Sequence, residues 1–378
     1  MTQPHTNHIP VLDHLRGLAA LLVFGCHFGP GFAGISFIDP LVALSSYGER
    51  GVEMFFAISG FVIPYSMYQR GHQFRQSGIF LLRRMTRLEP PYLACIALIL
   101  CLNGITQIRA GVDAIHPELQ VTFPQVLAHF GYLNALCGYR WLNVVFWTLA
   151  IEFQYYLFAV VAYPGISSPR LPIRVISLIA IALLGFVGTG TRFDHPPLLP
   201  YWLPLFALGM TTFCLVTRQL DRVTAGLILL VIVAIAVAVN GVVSMAFALA
   251  PLAIIMVLHT RQPWAILRPL AWVGTFSYSF YLLHLPIGLR VQAHLRGILD
   301  ESLSVILTFA VTLGCSYLFY RVIEKPAQQW SKSIGRHPRN VMDNIPSVRP
   351  RWAASANRKC NVSAEGAAML VDDQPGTI

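Results

Sequence analysis

The chain has 378 residues, 55% of them hydrophobic and only 12% charged, with a mean hydropathy of +0.60 and a formal net charge of +10. Soluble domains carry about 25% charged residues, so this balance excludes a water-soluble enzyme and points to a polytopic membrane protein. The excess of cations is explained by topology and by contact with anionic lipid, and requires no nucleic acid.

Ten apolar runs follow one another, at about 11-30, 50-68, 88-108, 141-163, 173-190, 199-217, 224-240, 242-259, 272-290 and 303-321. They predict an all-α fold, a polytopic membrane protein with about ten transmembrane helices. The residues before Leu12 lack a basic stretch and no small-residue cleavage site follows, so the first run is expected to stay in the protein. Placing the N-terminus inside leaves only Arg50, Arg109, Arg140, Arg192, Arg290 and Arg296 outside, of 27 Lys and Arg, which favours N-in and C-in. The membrane domain is expected to occupy residues 1-330. Residues 331-378 are polar and interrupted by proline, the signature of a disordered cytoplasmic tail.

The first run, Leu12 to Phe28, carries Arg16 near its start and His27 well inside, positions that are costly in lipid. Eleven residues at about 100° each bring the two onto one helix face, roughly 16 Å apart along the axis. The expected geometry is a cation near the cytoplasmic surface beneath an imidazole near mid-membrane. An arginine can hold phosphate or carboxylate, and a histidine can take a proton from a hydroxyl, which suits group transfer from an anionic carrier. The seven cysteines lack metal-type CxxC spacing, and Cys26 and His27 point about 100° apart, so no metal site and no Cys-His nucleophile are expected.

In GVEMFFAISGF, Gly51 and Gly60 permit close approach of a helix or a ligand. In LLRRMTRLEPPY, Arg83, Arg84 and Arg87 stand at helical spacing on the cytoplasmic rim, either to bind phosphates or to set topology, and Pro90 and Pro91 follow at the start of the third helix. WTLAIEFQYY puts Glu152 around mid-membrane, with Tyr155 and Tyr156 a turn on; such a carboxylate needs a cation partner or a wet cavity. In FSYSFYLLHLP, Ser277, Tyr281 and His284 form a polar stripe that reads as a substrate-binding cavity wall or as hydrogen bonding between helices. Glu324 and Lys325 in RVIEKP read as an end-of-helix charge pair.

These pieces, in this order and over about residues 11 to 326, resemble acyltransferase family three, the integral-membrane O-acyltransferases that move acetyl and related groups onto envelope glycans and some small molecules. The resemblance implies a ten-helix domain in a bacterial cytoplasmic membrane and acyl-CoA, acetyl-CoA first, as a donor substrate on the cytoplasmic side. It carries functional roles to Arg16 and His27 and importance to Arg84 and Arg87. Two departures stand out: Glu89 occupies an expected apolar position, and no extracytoplasmic hydrolase-like domain follows the membrane part, so the acceptor must be met unaided.

On both grounds, the nucleotide end of acyl-CoA is expected on Arg16, Arg84 and Arg87, with the thioester reaching His27 as general base. Glu152 or His284 would orient His27 or hold the acceptor, and no permanently bound cofactor is expected. Direct transfer is preferred because no Ser or Cys occupies a convincing nucleophile position. The acceptor expected first is a carbohydrate or glycolipid hydroxyl, then a small hydrophobic metabolite. A transporter would share the intramembrane charges but should show an inverted repeat, which is not evident.

Overall fold

The computed structural model describes residues 9-32, 43, 45-110, 120-189, 198-260 and 265-335. Of the expected tail, 331-378, the first residues continue the last helix to Ser333, and the part beyond residue 335 lies outside the described residues, as does the loop segment 111-119. Helices are α1 (Val11–Phe28), α2 (Gly51–Gln69), α3 (Ser77–Ala110), α4 (Phe123–His129), α5 (Phe146–Ile166), α6 (Leu171–Leu183) and α7 (Leu203–Val216). They continue as α8 (Arg222–Asn240), α9 (Val242–Leu258), α10 (Arg268–Thr275), α11 (Ser277–Leu295), α12 (Glu301–Phe319) and α13 (Lys325–Ser333), with a π-turn at Tyr320–Glu324 between the last two. No strand occurs among the described residues.

Among the described residues, seven helical stretches are long and apolar enough to cross a membrane: Val11–Gly31, Phe74–Arg109, Phe146–Ile166, Leu171–Gly188, Leu199–Val216, Arg222–Asn240 and Glu301–Ser333. The three other predicted crossings correspond to α2, α9 and α11. At 17 residues α9 is short, while α2 and α11 have 19 residues each but are diluted by polar side chains. Two boundaries move. The third helix begins at Ser77 rather than near residue 88, so Arg83, Arg84 and Arg87 belong to the helix itself and Pro90 and Pro91 lie within it. The ninth run divides at Phe276 (φ -122°, ψ 23°) into α10 and α11.

The burial pattern is that of a lipid-immersed bundle, in which large aliphatic side chains gain nothing by facing inward. On α12, Ser304, Thr308, Thr312 and Ser316 are buried at successive i, i+4 positions, while Leu303, Ile306, Leu307, Val311 and Leu318 face out. Small residues set the tightest crossings. A Cβ on Gly60 of α2 would overlap the Phe206 carbonyl of α7, and one on Gly209 would overlap that of Ala57. Gly17 and Gly274 do the same for α1 against α10, meeting the carbonyls of Leu270 and Asp13. These contacts clamp α1, with Arg16 beside Gly17, against the segment that leads into α11. Gly51 approaches the Ala19 carbonyl, so it too serves helix packing.

Candidate active site

Near the start of α1, side chains from four helices converge. Arg84 donates from Nη2 to Ser66 Oγ at 2.7 Å, and its guanidinium lies over the rings of Phe80 and Tyr156, 5.3 and 5.7 Å from their centroids. The Tyr156 hydroxyl donates to Glu152. Arg16 lies within electrostatic reach of Arg87, Glu152 and Tyr156, and Arg84 within reach of Arg87, Glu152 and Arg16. Arg16, Arg84 and Arg87, remote in sequence, thus share one half-buried cluster with Glu152. The three guanidiniums have Asp13, Glu152 and Glu324 within reach, and their forked donors are of the kind that suits phosphate.

Arg83 takes no part in this. It donates from Nε and Nη2 to the Ile334 carbonyl at 2.9 and 2.8 Å, and Ser331 Oγ donates to its own carbonyl at 2.6 Å. It fastens α3 to the end of α13.

Glu324 corrects the expectation of an end-of-helix pair with Lys325. The π-turn adds a residue to the helical register and swings Glu324 inward, leaving Lys325 exposed. Glu324, 2% exposed, accepts from the backbone N and the Oγ of Ser279, at 3.1 and 2.5 Å, and from Gln328 Nε2 at 2.8 Å. Arg87 is within its electrostatic reach. The available signal was Ser279, two residues after Ser277, and a carboxylate at the end of an apolar run.

The other end of α1 holds the histidines. His27 lies in the last helical turn and is exposed, and Gly29 and Pro30 turn the chain into a 3-10 segment directly afterwards. Its neighbour is His284 of α11, with ring centroids 5.3 Å apart. His284 is 1% exposed; its Nδ1 hydrogen-bonds the Tyr281 carbonyl at 2.7 Å, and its Nε2 is buried without a hydrogen-bond partner. Glu49, from the Gly48–Arg50 turn, is within electrostatic reach of His27. Sequence reasoning passed over this carboxylate.

The predicted stripe on α11 therefore divides. Ser277 Oγ donates to the Gly274 carbonyl at 3.0 Å, closing the turn between α10 and α11. The Tyr281 hydroxyl pairs with Thr148 Oγ1 of α5 at 2.8 Å. Of the three, His284 is the residue that meets His27. Glu152 keeps company with the arginines.

Two polar contacts brace this wall. Pro286 has no N–H to offer Leu282, and the freed carbonyl accepts instead from Asn143 Nδ2 at 2.9 Å and Cys95 Sγ at 3.5 Å. Glu53 of α2, 3% exposed, pairs with Arg50 at 3.0 Å and accepts from Ser244 Oγ of α9 at 3.1 Å. The unexpected Glu89 hydrogen-bonds Tyr132.

A helical membrane bundle with an arginine cluster at one end and an imidazole pair at the other has the parts of a group-transfer site. Comparison with known families decides which group: an acyltransferase domain matches residues 9-321. The chain belongs to this acyltransferase family. It carries that family's acyltransferase domain in an all-helical frame with several stretches able to cross a membrane.

Three curated relatives are similar to it. The peptidoglycan O-acetyltransferase OatA of Listeria monocytogenes is 24% identical over 87% of this chain and 57% of the relative. The putative membrane-bound transacylase BcsY of Komagataeibacter xylinus is 27% identical over 83% of this chain and 81% of the relative. The acyltransferase MdmB of Streptomyces mycarofaciens is 24% identical over 91% and 99%. This chain thus spans little more than half the length of the first of them. No solved structure gives a significant match.

Proposed function

We propose that this protein moves an acyl group, acetyl in the first instance, from acyl-CoA to a hydroxyl of a carbohydrate or glycolipid acceptor. The observation that carries this reading is the division of labour along α1. Arg16 joins Arg84 and Arg87 at one end, and His27 meets His284 at the other, eleven residues or roughly 16 Å further on. The nucleotide phosphates would rest on the arginines, with Glu152 and Tyr156 holding those side chains apart and aimed. Binding energy at this remote end then positions the thioester at the imidazoles.

In the transfer step the acceptor oxygen attacks the thioester carbonyl as its proton passes to His27. The new ester C–O bond forms, the C–S bond breaks, and the imidazolium returns its proton to the departing CoA thiolate. This is direct transfer, with no acyl-enzyme.

In this reading the chain crosses the cytoplasmic membrane of a bacterium about ten times, N-in and C-in, with the arginine cluster on the cytoplasmic side. Residues 1-330 form the catalytic domain and 331-378 a tail. The carbohydrate acceptor draws support from the relative named as a peptidoglycan O-acetyltransferase.

The test uses the full chain in proteoliposomes with acetyl-labelled acetyl-CoA, together with mass spectrometry of envelope glycans from cells with and without the protein. Label should move to glycan, and the deletion should lose specific acetyl groups. Normal glycan acetylation in the deletion strain, with no acetyl-CoA turnover in the liposomes, overturns the reading.

A further inference from the structure

Beyond His284, α11 runs on to Leu295 and turns back into α12, and the two helices enclose a cavity of about 480 Å³. Its lining includes Leu289, Gln292, Arg296, Glu301 and Ser304. Ser304 is only 4% exposed, and its Oγ has no hydrogen-bond partner. Buried hydroxyls are normally satisfied, as Thr211 and Thr212 are by the carbonyls one turn earlier, at 2.9 and 3.0 Å, whereas Thr308, Thr312 and Ser316 on the same face of α12 are unpartnered like Ser304. Of these four hydroxyl residues, Ser304 is the one that lines the cavity.

The cavity adjoins the histidine end of α1. Gly288 lets the Phe28 ring lie against the α11 backbone, and Ser302 Oγ donates to the Gly31 carbonyl at 3.3 Å. Gln292 stands two turns past His284 on the same helix, about 12 Å along the axis. Its chemistry differs from that of the arginine cluster. Arg296 and Glu301 balance in charge, so the cavity does not favour a polyanion. Arginine donates, glutamate accepts, and glutamine and serine do both, which matches vicinal hydroxyls; Leu289 offers an apolar surface to the C–H face of a sugar ring.

We infer that this cavity is the acceptor subsite: it holds a neutral, polyhydroxylated glycan segment and presents a neighbouring hydroxyl to His27. The inference rests on the carbohydrate-acceptor reading above and adds to it where the acceptor binds.

The test measures acetyl transfer by the full-length protein in proteoliposomes. The acceptor probe is the envelope polysaccharide extracted from cells that lack the protein. Ser304→Ala removes a hydroxyl that bonds nothing within the protein, so it leaves the fold intact, and Arg296→Gln alters an exposed side chain. Each should raise the glycan KM by about tenfold, one lost hydrogen bond to a polar ligand, with acetyl-CoA KM and membrane abundance unchanged. Glycan KM unchanged in both variants overturns the subsite while leaving the catalytic reading intact. A parallel rise in acetyl-CoA KM also overturns it, since the cavity would not be specific to the acceptor. If the wild-type protein transfers nothing to this glycan, the carbohydrate reading fails first and the subsite falls with it.

Discussion

The imidazole of His284 lies 5.3 Å, centre to centre, from that of His27, with its Nδ1 committed to the Tyr281 carbonyl. A carbonyl only accepts, so Nδ1 carries the hydrogen, and in the neutral ring Nε2 is left with a lone pair and no partner. That atom is available to receive a hydrogen bond from His27 or from an acceptor hydroxyl. A buried acceptor held rigidly beside an exposed imidazole is a means of orienting it, the task that a carboxylate performs in a Ser-His-Asp triad.

The first prediction separates base from brace. His27→Gln and His27→Asn keep polarity and much of the volume but have no group that titrates near neutral pH. Both should lower the transfer rate by about 10²-fold or more, with acyl-CoA binding and membrane abundance near wild type, because in the proposed arrangement the donor's charged end would rest on the distant arginine cluster. His284→Gln should lower kcat less and leave the donor KM alone. Near wild-type transfer by a properly inserted His27→Gln protein would make His27 structural.

A second prediction contrasts three neighbouring arginines. Arg84→Ala and Arg87→Ala should raise the acyl-CoA KM, with lysine rescuing only partly because it lacks the planar fork. Arg83→Ala should leave the donor KM unchanged and instead free the Ile334 carbonyl, seen as faster proteolysis near residue 334. Equal effects of all three on donor KM would return this segment to a general role in topology.

Much of the arginine cluster was legible in sequence because charge in lipid is expensive. Arg16 and Glu152 announce themselves in apolar runs and Arg84 and Arg87 at helical spacing just before one, and the structure brings Arg16 and Arg84 each within electrostatic reach of the other three. The surroundings of His27 were not legible: helical periodicity gives its angle, whereas the Gly29 and Pro30 turn decides where the helix stops. Glu324 escaped for a related reason, since a π-turn shifts register by one residue and leaves no compositional trace. Ser277 and Tyr281 shared a face with His284, but their hydroxyls met nearer partners in Gly274 and Thr148.

A third prediction concerns pH. His129, at the end of the short α4, is fully buried; Nδ1 hydrogen-bonds the Gln125 carbonyl at 2.8 Å and Nε2 accepts from the Leu142 backbone N at 3.2 Å. Burial holds its imidazole below the ordinary value, outweighing the Gln125 hydrogen bond, which acts in the opposite sense. The unfolded segment then binds more protons than the folded one. This stabilisation is complete above the unfolded value of about 6.5 and is lost as pH falls below it towards the folded value. Amide exchange in residues 123-142 should accelerate on acidification below that point, and His129→Phe should flatten the response. An unchanged pH dependence in the variant would remove His129 as its cause.

The last prediction tests the brace behind His284. Pro286 leaves the Leu282 carbonyl without a helical donor, and Asn143, 5% exposed, supplies one at 2.9 Å. Asn143→Ala should cost about 1–3 kcal/mol, because the buried carbonyl keeps only the weak Cys95 thiol at 3.5 Å. Pro286→Ala provides an N–H in register for the same carbonyl, so in that background the loss of Asn143 should matter much less. The two substitutions should therefore couple by about 0.5 kcal/mol or more in a double-mutant cycle of thermal unfolding in nanodiscs. His284 lies between Leu282 and Pro286, so Asn143→Ala should also lower kcat while leaving the acyl-CoA KM unchanged. Additive stabilities with unaltered kcat would show that Asn143 merely occupies a loop, and that the carbonyl freed by Pro286 has no part in holding His284 against His27.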